Sequence, residues 1–122
     1  MAVLNEEQEM LRDMAREWAT NESPVTEFRK VRASGEPAAF DRAAYATMAE
    51  MGWAGIIVPE EHGGSDFGFM SVGLVVEELG KTLTASPLIA TTLAASAIIL
   101  GGSEEQKACL LYTSDAADDL TR

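Results

Sequence analysis

The segment Gly52-Trp-Ala-Gly-Ile-Ile-Val-Pro-Glu-Glu-His-Gly-Gly64 separates two parts of the sequence that both have helical periodicity. Its apolar run from Trp53 to Pro59 is short, and it fits either a strand or an ordered buried loop. Pro59 and the Gly63-Gly64 pair interrupt any regular element that would continue through them. The segment therefore predicts a break between two groups of helices.

The sequence before this break begins with a clear helix signal. Asn5 followed three residues later by Gln8 has the form of a capping box, and the residues behind it recur at helical spacing. We expect a first helix that ends near Asn21. Its apolar stripe consists of Leu11, Met14, Ala15 and Trp18.

Two shorter helices are expected between the first helix and the break. The Ser23-Pro24 pair supplies a cap and a proline at the first helical position, and this second helix should stop near Ser34-Gly35. Asp41 is a candidate cap for a third helix. Gly52 is placed to end that helix in a left-handed conformation.

The sequence after the break repeats the helical pattern. A fourth helix is expected to end at Gly80, a fifth to run from the Ser86-Pro87 cap to Gly101-Gly102, and a sixth to begin at the capping box of Ser103 and Gln106. The apolar stripes of the fourth and fifth helices are Val72, Val75, Val76 and Leu79, and Ile89, Leu93, Ala97 and Leu100. The predicted fold is an all-α bundle of about six helices, orthogonal or up-and-down, in one domain.

Composition limits the classes of function. The chain has 122 residues and a net charge of −11, which argues against a nucleic-acid-binding protein because phosphate contacts need clustered Lys and Arg. The apolar stretch Leu88 to Leu100 is too short and too polar to span a bilayer. The single cysteine, Cys109, allows no internal disulfide. A reducing, cytoplasmic location is the default expectation.

Few residues suggest chemistry. The Glu60-Glu61-His62 run could in isolation indicate a metal site or acid–base catalysis, but a single histidine without a spaced second ligand is weak evidence. The glycines at 63, 64 and 68 fit no phosphate-loop pattern and indicate tight turns. We therefore predict no metal site.

Two further sets of residues have a structural explanation as well as a functional one. Glu77 and Glu78 oppose the dipole near the end of the fourth helix, so an ion pair with Lys81 is favoured over catalysis. Trp18 and Trp53 are more often buried in a helical core than stacked on a ligand.

Three blocks in this order resemble one family. They are Gly52 to Gly64, Glu77-Glu-Leu-Gly80 and Gly102-Ser-Glu-Glu-Gln-Lys107, and together they resemble the N-terminal helical domain of the acyl-CoA dehydrogenases from about Leu4 to Ala108. The resemblance implies an FAD-dependent α,β-dehydrogenation of an acyl-CoA thioester. A carboxylate base removes the α-proton, and a hydride passes from the β-carbon to the flavin. In the family the base and most flavin contacts lie in later domains, so no catalytic residue is assigned here.

The resemblance also implies a substrate surface. In the family the start of the helix matching Ser86 to Leu100 lines the acyl slot, which places the lining positions near Ser86, Pro87, Ile89, Ala90 and Leu93. Apolar, mostly small side chains suit a lipid-like acyl group. Plain packing between helices is an equally open interpretation of each residue. The Ser-Pro-Leu-Ile run resembles bacterial members that act on bulky or steroid-derived acyl-CoAs.

The partners implied by the resemblance are acyl-CoA, an electron-transferring flavoprotein and further subunits of a dimer or tetramer. Three alternatives remain open on the sequence. The chain could belong to a non-catalytic subunit of a hetero-oligomeric acyl-CoA dehydrogenase, to a flavin-dependent acyl-CoA oxidase, or to a free-standing helical module that binds another protein.

The residues from 109 onward differ in origin from the rest in our interpretation. Cys-Leu-Leu-Tyr-Thr-Ser-Asp-Ala-Ala-Asp, residues 109 to 118, matches one reading frame of the transposase adapter used in DNA sequencing libraries. We therefore expect residues 1–108 to form the domain and residues 109–122 to be an artefactual tail. The alternative is that the helix begun at Ser103 continues through Tyr112 into a polar tail.

Overall fold

The computed structural model describes residues 3–111 and confirms the all-α prediction. No strand occurs in that part of the chain; short 3₁₀ turns at Trp53–Gly55 and Glu60–His62 join the helices, and a wide π-helical turn, Lys107–Leu111, follows the last one. The six helices are α1 Glu6–Glu22, α2 Val25–Ser34, α3 Arg42–Glu50, α4 Gly68–Lys81, α5 Leu88–Gly101 and α6 Glu104–Gln106.

Helices α1 and α4 form the main helix pair, and they run in the same direction. Near their N-terminal ends, Asn5 and Phe67 line one small pocket. Two to three turns further along both helices, Arg16 Nη2 lies 3.0 Å from Glu78 Oε1. A parallel pair requires a long connection between its members, and α2, α3 and the break segment provide it.

Trp53 lies at the centre of the core and is 1% exposed. Its ring meets the edge of Trp18 from α1, with the ring centroids 5.6 Å apart and the planes at 87°, a favourable T-shaped geometry. The turn that carries Trp53 contacts both α3 and α5. The prediction of a core position is confirmed for Trp53, whereas Trp18 is partly buried and packs against the core. The core residues around Trp53 are Ala15, Ala19, Tyr45, Met48, Ile56, Ile57, Val58, Val72, Val75, Leu79, Leu88 and Ala95.

The break segment is a buried loop rather than a strand. Residues 53–58 are all buried, so their backbone polar groups need partners inside the protein. The amides of Ser65, Asp66 and Phe67 donate to the carbonyls of Gly55, Val58 and Ile56 at 3.1, 3.0 and 2.8 Å. These bonds satisfy three carbonyls of the loop without a sheet ladder, and they fold the chain back before α4 begins.

Glycine has a specific role at three positions of this loop. Gly52 and Gly63 have φ of +82° and +90°, the left-handed region that favours glycine, so the predicted end of α3 and the predicted turn are confirmed. At Gly64 the backbone angle is ordinary, but a Cβ would overlap the carbonyl oxygen and Cβ of Val58. Close approach of two backbone segments is therefore the reason for Gly64.

Most predicted helix caps are confirmed. The capping boxes of Asn5 with Gln8 and of Ser103 with Gln106 both form. The Asp41 side chain accepts from the amides at the start of α3, at 2.9 Å from Ala43 N. These caps fix the entries to α1, α3 and α6 because they satisfy amides that have no partner within the helix.

Two proline-containing caps are displaced by one residue from their predicted positions. Helix α2 begins at Val25 with Pro24 as its N-cap residue, and α5 begins at Leu88 after Pro87. The Ser23 hydroxyl forms a 2.8 Å hydrogen bond with the Thr84 hydroxyl instead of capping α2. The tertiary contact with Thr84 therefore replaces the local cap that Ser23 was predicted to form. Helix α4 ends at Lys81, one residue later than predicted.

Glu78 is a buried carboxylate held by two cations. It is 3% exposed, and its Oε1 lies 3.0 Å from Arg16 Nη2 and 3.0 Å from Lys81 Nζ. The predicted pair with Lys81 is confirmed, and Arg16 is an additional partner. The hydrogen bond from Arg16 is the main cause that lowers the pKa of Glu78, against the opposing effect of burial. The same hydrogen bond raises the pKa of Arg16.

Replacing Glu78 should destabilise the fold in a pH-dependent way. Glu78→Gln is expected to cost about 1–3 kcal/mol at neutral pH, because it removes a charge-assisted hydrogen bond at a buried site. A lowered folded-state pKa means that the contribution is complete above the usual glutamate pKa and disappears as the pH falls through the folded-state value. Urea unfolding from pH 7 to pH 3 measures it. The neighbouring exposed Glu77→Gln serves as control, and equal effects of both variants would contradict this prediction.

The two classes of glycine give a second stability test. Gly64→Ala should destabilise the protein by about 1–3 kcal/mol, the usual cost of overpacking, since the added Cβ meets Val58. Gly73→Ala, in the middle of α4 with nothing near its Cβ, should stabilise it by about 0.5–1 kcal/mol. Thermal unfolding of both variants measures the difference. An increase in the stability of Gly64→Ala would contradict the predicted overlap between its Cβ and Val58.

Candidate functional site

Helix α5 has apolar residues on every side, which is unusual for a helix at a protein surface. Leu88, Thr92 and Ala95 face the core and are buried. The opposite side carries Ile89, Ala90, Leu93, Ala94, Ala97 and Leu100, all exposed. We call these six residues the outer face of α5. An apolar helix face of this kind is normally covered by another part of a larger protein or by a ligand.

The structure divides the five predicted substrate residues into two groups. Ile89 and Leu93 are 57% and 63% exposed, and with Ala90 they belong to the outer face. Ser86 and Pro87 precede α5 and are half-buried. Three of the predicted residues therefore share the outer face of α5, and the other two lie in the segment before the helix.

Ser86 and Ile89 also line a small cleft between the end of α4 and the start of α5. Its volume is about 120 Å³, and two hydroxyl groups, those of Ser86 and Thr84, are the polar side-chain groups among its lining residues. Pro87, Ala90 and Leu93 are not among those residues. The lining residues are Val76, Leu79, Gly80, Thr84, Ser86, Leu88 and Ile89.

One contact at this helix was missed by the sequence reasoning. The Tyr45 hydroxyl on α3 lies 2.9 Å from the Thr91 hydroxyl on α5. Tyr45 is 6% exposed, and its ring also meets Phe40 at a centroid distance of 6.0 Å. The available signal was the pair of threonines, Thr91 and Thr92, on a mostly apolar helix, because a half-buried hydroxyl needs a partner.

The Glu60-Glu61-His62 run forms a turn. Glu60–His62 is one 3₁₀ turn, and Glu61 Oε1 lies 3.8 Å from His62 Nε2, beyond hydrogen-bond distance. Within residues 3–111, no group of three or more His, Cys, Asp or Glu side chains is arranged to hold a metal ion. The helices of that region also include none long and apolar enough to cross a membrane.

Comparison with known proteins identifies the family. The family model "Acyl-CoA dehydrogenase, N-terminal domain" matches residues 5–113. The chain belongs to the acyl-CoA dehydrogenase family. It is 39% identical over 108 residues to the probable acyl-CoA dehydrogenase YngJ of Bacillus subtilis, covering 85% of this chain and 27% of that protein. The cyclohex-1-ene-1-carbonyl-CoA dehydrogenase of Geobacter metallireducens is 35% identical, with 88% and 28% covered.

Solved structures agree with the family and with the fold. The Tcur3481-Tcur3483 steroid ACAD superposes with a TM-score of 0.80 at 28% identity, over 90% of this chain and 30% of that one. A chain of the Acidaminococcus fermentans electron transferring flavoprotein structure gives 0.79 at 32% identity, over 97% and 31%. The domain thus spans between a quarter and a third of the length of the relatives it matches.

The surface between α1 and α3 of this acyl-CoA dehydrogenase domain does not by itself fit a flavin dinucleotide. Two adjoining shallow pockets beside α1 and α3 share Trp18 and Glu22, and Glu17 and Asp41 also line them. Carboxylates repel a diphosphate, and no lysine or arginine is among the lining residues of either pocket. We therefore derive no catalytic step from this part of the chain.

Truncation of the two faces of α5 should change stability by very different amounts. Leu88→Ala should cost about 2–5 kcal/mol, because the side chain is 1% exposed and its loss leaves a cavity. Leu93→Ala on the outer face should change the stability of this chain by about 0.5 kcal/mol or less. Urea unfolding measures both values, and a similar loss in the two variants would show that the outer face is already covered.

Proposed function

We propose that the chain is the N-terminal part of an FAD-dependent acyl-CoA dehydrogenase, which forms a double bond between the α- and β-carbons of an acyl-CoA thioester. Ser86, Pro87, Ile89, Ala90 and Leu93 would contribute to the wall of its acyl slot. The observation that carries this proposal is the exposed apolar outer face of α5 in a chain of this family.

The chemistry of the outer face suits an acyl chain. Its side chains are apolar, and three of the six are alanines, which allow a ligand to approach the helix closely. Each methylene that leaves water on such a surface contributes about 0.8 kcal/mol. An acyl group would therefore gain affinity here in proportion to the length that reaches α5.

Relatives support a CoA thioester as the substrate class. Proteins similar to this chain include a cyclohex-1-ene-1-carbonyl-CoA dehydrogenase, an acryloyl-CoA reductase of Anaerotignum propionicum and a caffeyl-CoA reductase-Etf complex subunit of Acetobacterium woodii. Their named substrates share the thioester and differ in the acyl part. The proposal therefore specifies a CoA thioester as the substrate. Experiment must decide whether its acyl group is straight-chain, bulky or steroid-derived.

The cofactor and partners of the complete protein follow from the same relationship. We propose FAD bound by segments beyond this domain, electron transfer to an electron-transferring flavoprotein, assembly into an oligomer and a cytoplasmic location. The caffeyl-CoA relative is named as a subunit of an Etf complex, which supports a flavoprotein partner.

The same relative also favours a second candidate function. A chain that belongs to a complex could be a non-catalytic subunit that shapes the acyl slot of its partner subunit. The two candidates differ in the rest of the gene, because only the catalytic form needs a carboxylate base and flavin-binding segments.

The boundary of the domain is a separate proposal. We infer that the natural domain continues in a longer reading frame after Ala108 and that residues 109–122 derive from a sequencing adapter. The family match runs to residue 113 and weighs against a boundary so early. Sequencing the source locus without a transposase step decides it: another sequence after Ala108 supports the proposal, and the same residues 109–122 refute it.

A bulky substitution on the outer face should shorten the acyl group that the full-length protein accepts. In the protein expressed from the source locus, Ala90→Phe is expected to lower kcat/KM for the longest accepted acyl-CoA about tenfold, equivalent to losing contact with roughly two methylenes. The shortest accepted acyl-CoA should be little affected. A dye-reduction assay across acyl-CoAs of increasing length measures this.

The matched control is Ala33→Phe, the same change at an exposed position of α2. It should leave the chain-length profile unchanged. A wild-type protein that oxidises no acyl-CoA would overturn the dehydrogenase proposal. If the protein is active and both variants keep the wild-type dependence of kcat/KM on acyl length, the proposal that α5 lines the acyl slot is wrong.

A further inference from the structure

We infer that Tyr45 is a positioning residue that sets which side of α5 faces the acyl group and thereby contributes to the choice of acyl chain. The inference rests on the proposed function of the outer face. Tyr45 itself lies on α3, within the core, and contacts the opposite side of α5.

Apolar burial alone does not fix the rotation of α5. Amphipathic helices orient themselves because their apolar side is buried, but on α5 the exposed side is apolar and the hydroxyl residues Thr91, Thr92 and Ser96 lie on buried or half-buried sides. A turn of the helix by one residue, about 100°, would exchange one set of apolar side chains for another. Some polar contact must therefore distinguish between the possible orientations.

The Tyr45–Thr91 hydrogen bond is that contact. It is the hydrogen bond between side chains that joins α5 to another element within residues 3–111, at 2.9 Å. Ser96, the other serine or threonine of α5 with a side-chain hydrogen bond there, donates to the carbonyl of Thr92 within its own helix. A rotation of α5 would leave the Tyr45 hydroxyl, on a residue 6% exposed, without its partner.

The direction of the bond determines the direction of the outer face. Ile89 and Leu93 are each two positions from Thr91, about 200° around the helix, so they point away from the side on which Thr91 meets α3. Their exposures of 57% and 63% agree with this geometry. Holding Thr91 against Tyr45 therefore presents Ile89 and Leu93 outward.

The test uses the full-length protein with Tyr45→Phe, Thr91→Val and the double variant. Tyr45→Phe removes only the hydroxyl, and Thr91→Val replaces the hydroxyl with a methyl group of similar size. We expect each single variant to change the ratio of kcat/KM between a long and a short acyl-CoA by about fourfold or more, the factor for one buried methylene. The double variant should change it no further, because either substitution breaks the same bond.

Met48→Leu is the control for a loss of packing alone. Met48 lies fully buried on α3, and this volume-conserving change should lower Tm without altering the chain-length ratio. Hydrogen exchange of the amides of residues 88–94 gives a second readout that needs no activity. It should be faster in Tyr45→Phe than in Met48→Leu.

The outcomes separate the inference from the function on which it rests. An active protein whose hydroxyl variants keep the wild-type ratio overturns the positioning role while the dehydrogenase proposal stands. A wild-type protein inactive on every acyl-CoA overturns the dehydrogenase proposal and the role in acyl selection with it. In that case faster exchange in Tyr45→Phe still supports the anchoring of α5, and unchanged exchange refutes it.

Discussion

The burial of the loop from Trp53 to Val58 is the constraint on which the rest of this domain depends. A segment without helix or sheet can enter a core only if its backbone polar groups find partners there. The amides of residues 65–67 provide them, which turns the chain back at Gly64 and sets the start of α4. Trp53 is then held between α1, α3 and α5, and those helices take their positions around it.

Two hydrogen bonds between side chains add to this apolar core near the start of α5. The Ser23–Thr84 bond fixes the chain just before α5, and the Tyr45–Thr91 bond fixes its first turn against α3. Each contributes only about 1 kcal/mol to stability in the typical case. Their greater effect is on orientation, since apolar residues occur on both the buried and the exposed side of this helix.

The ion pairs of Glu78 with Arg16 and Lys81 likewise affect both the stability of the domain and the relative position of its helices. Burying an unpaired carboxylate that is only 3% exposed would cost free energy. The exposed guanidinium of Arg16 and the exposed ammonium of Lys81 each lie 3.0 Å from it. Because Arg16 lies on α1, the contact also fixes how far α1 slides along α4. Helix capping and ion pairing thus hold the scaffold that leaves the outer face of α5 uncovered.

The sequence by itself determined the helices, their capping boxes at Asn5 and Ser103, the glycine turns and the family. Each of these depends on the types and spacing of residues that are close together in the sequence. It predicted the residues at the start of α5, although it did not determine which of them share a cleft. Only the tertiary structure decided that Ser23 bonds Thr84, that Arg16 joins Glu78 and that Tyr45 holds Thr91. These partners lie 46 to 62 residues apart, and no local pattern in the sequence specifies a contact over that distance. The direction of the outer face depends on them, and so it too became visible only in the folded chain.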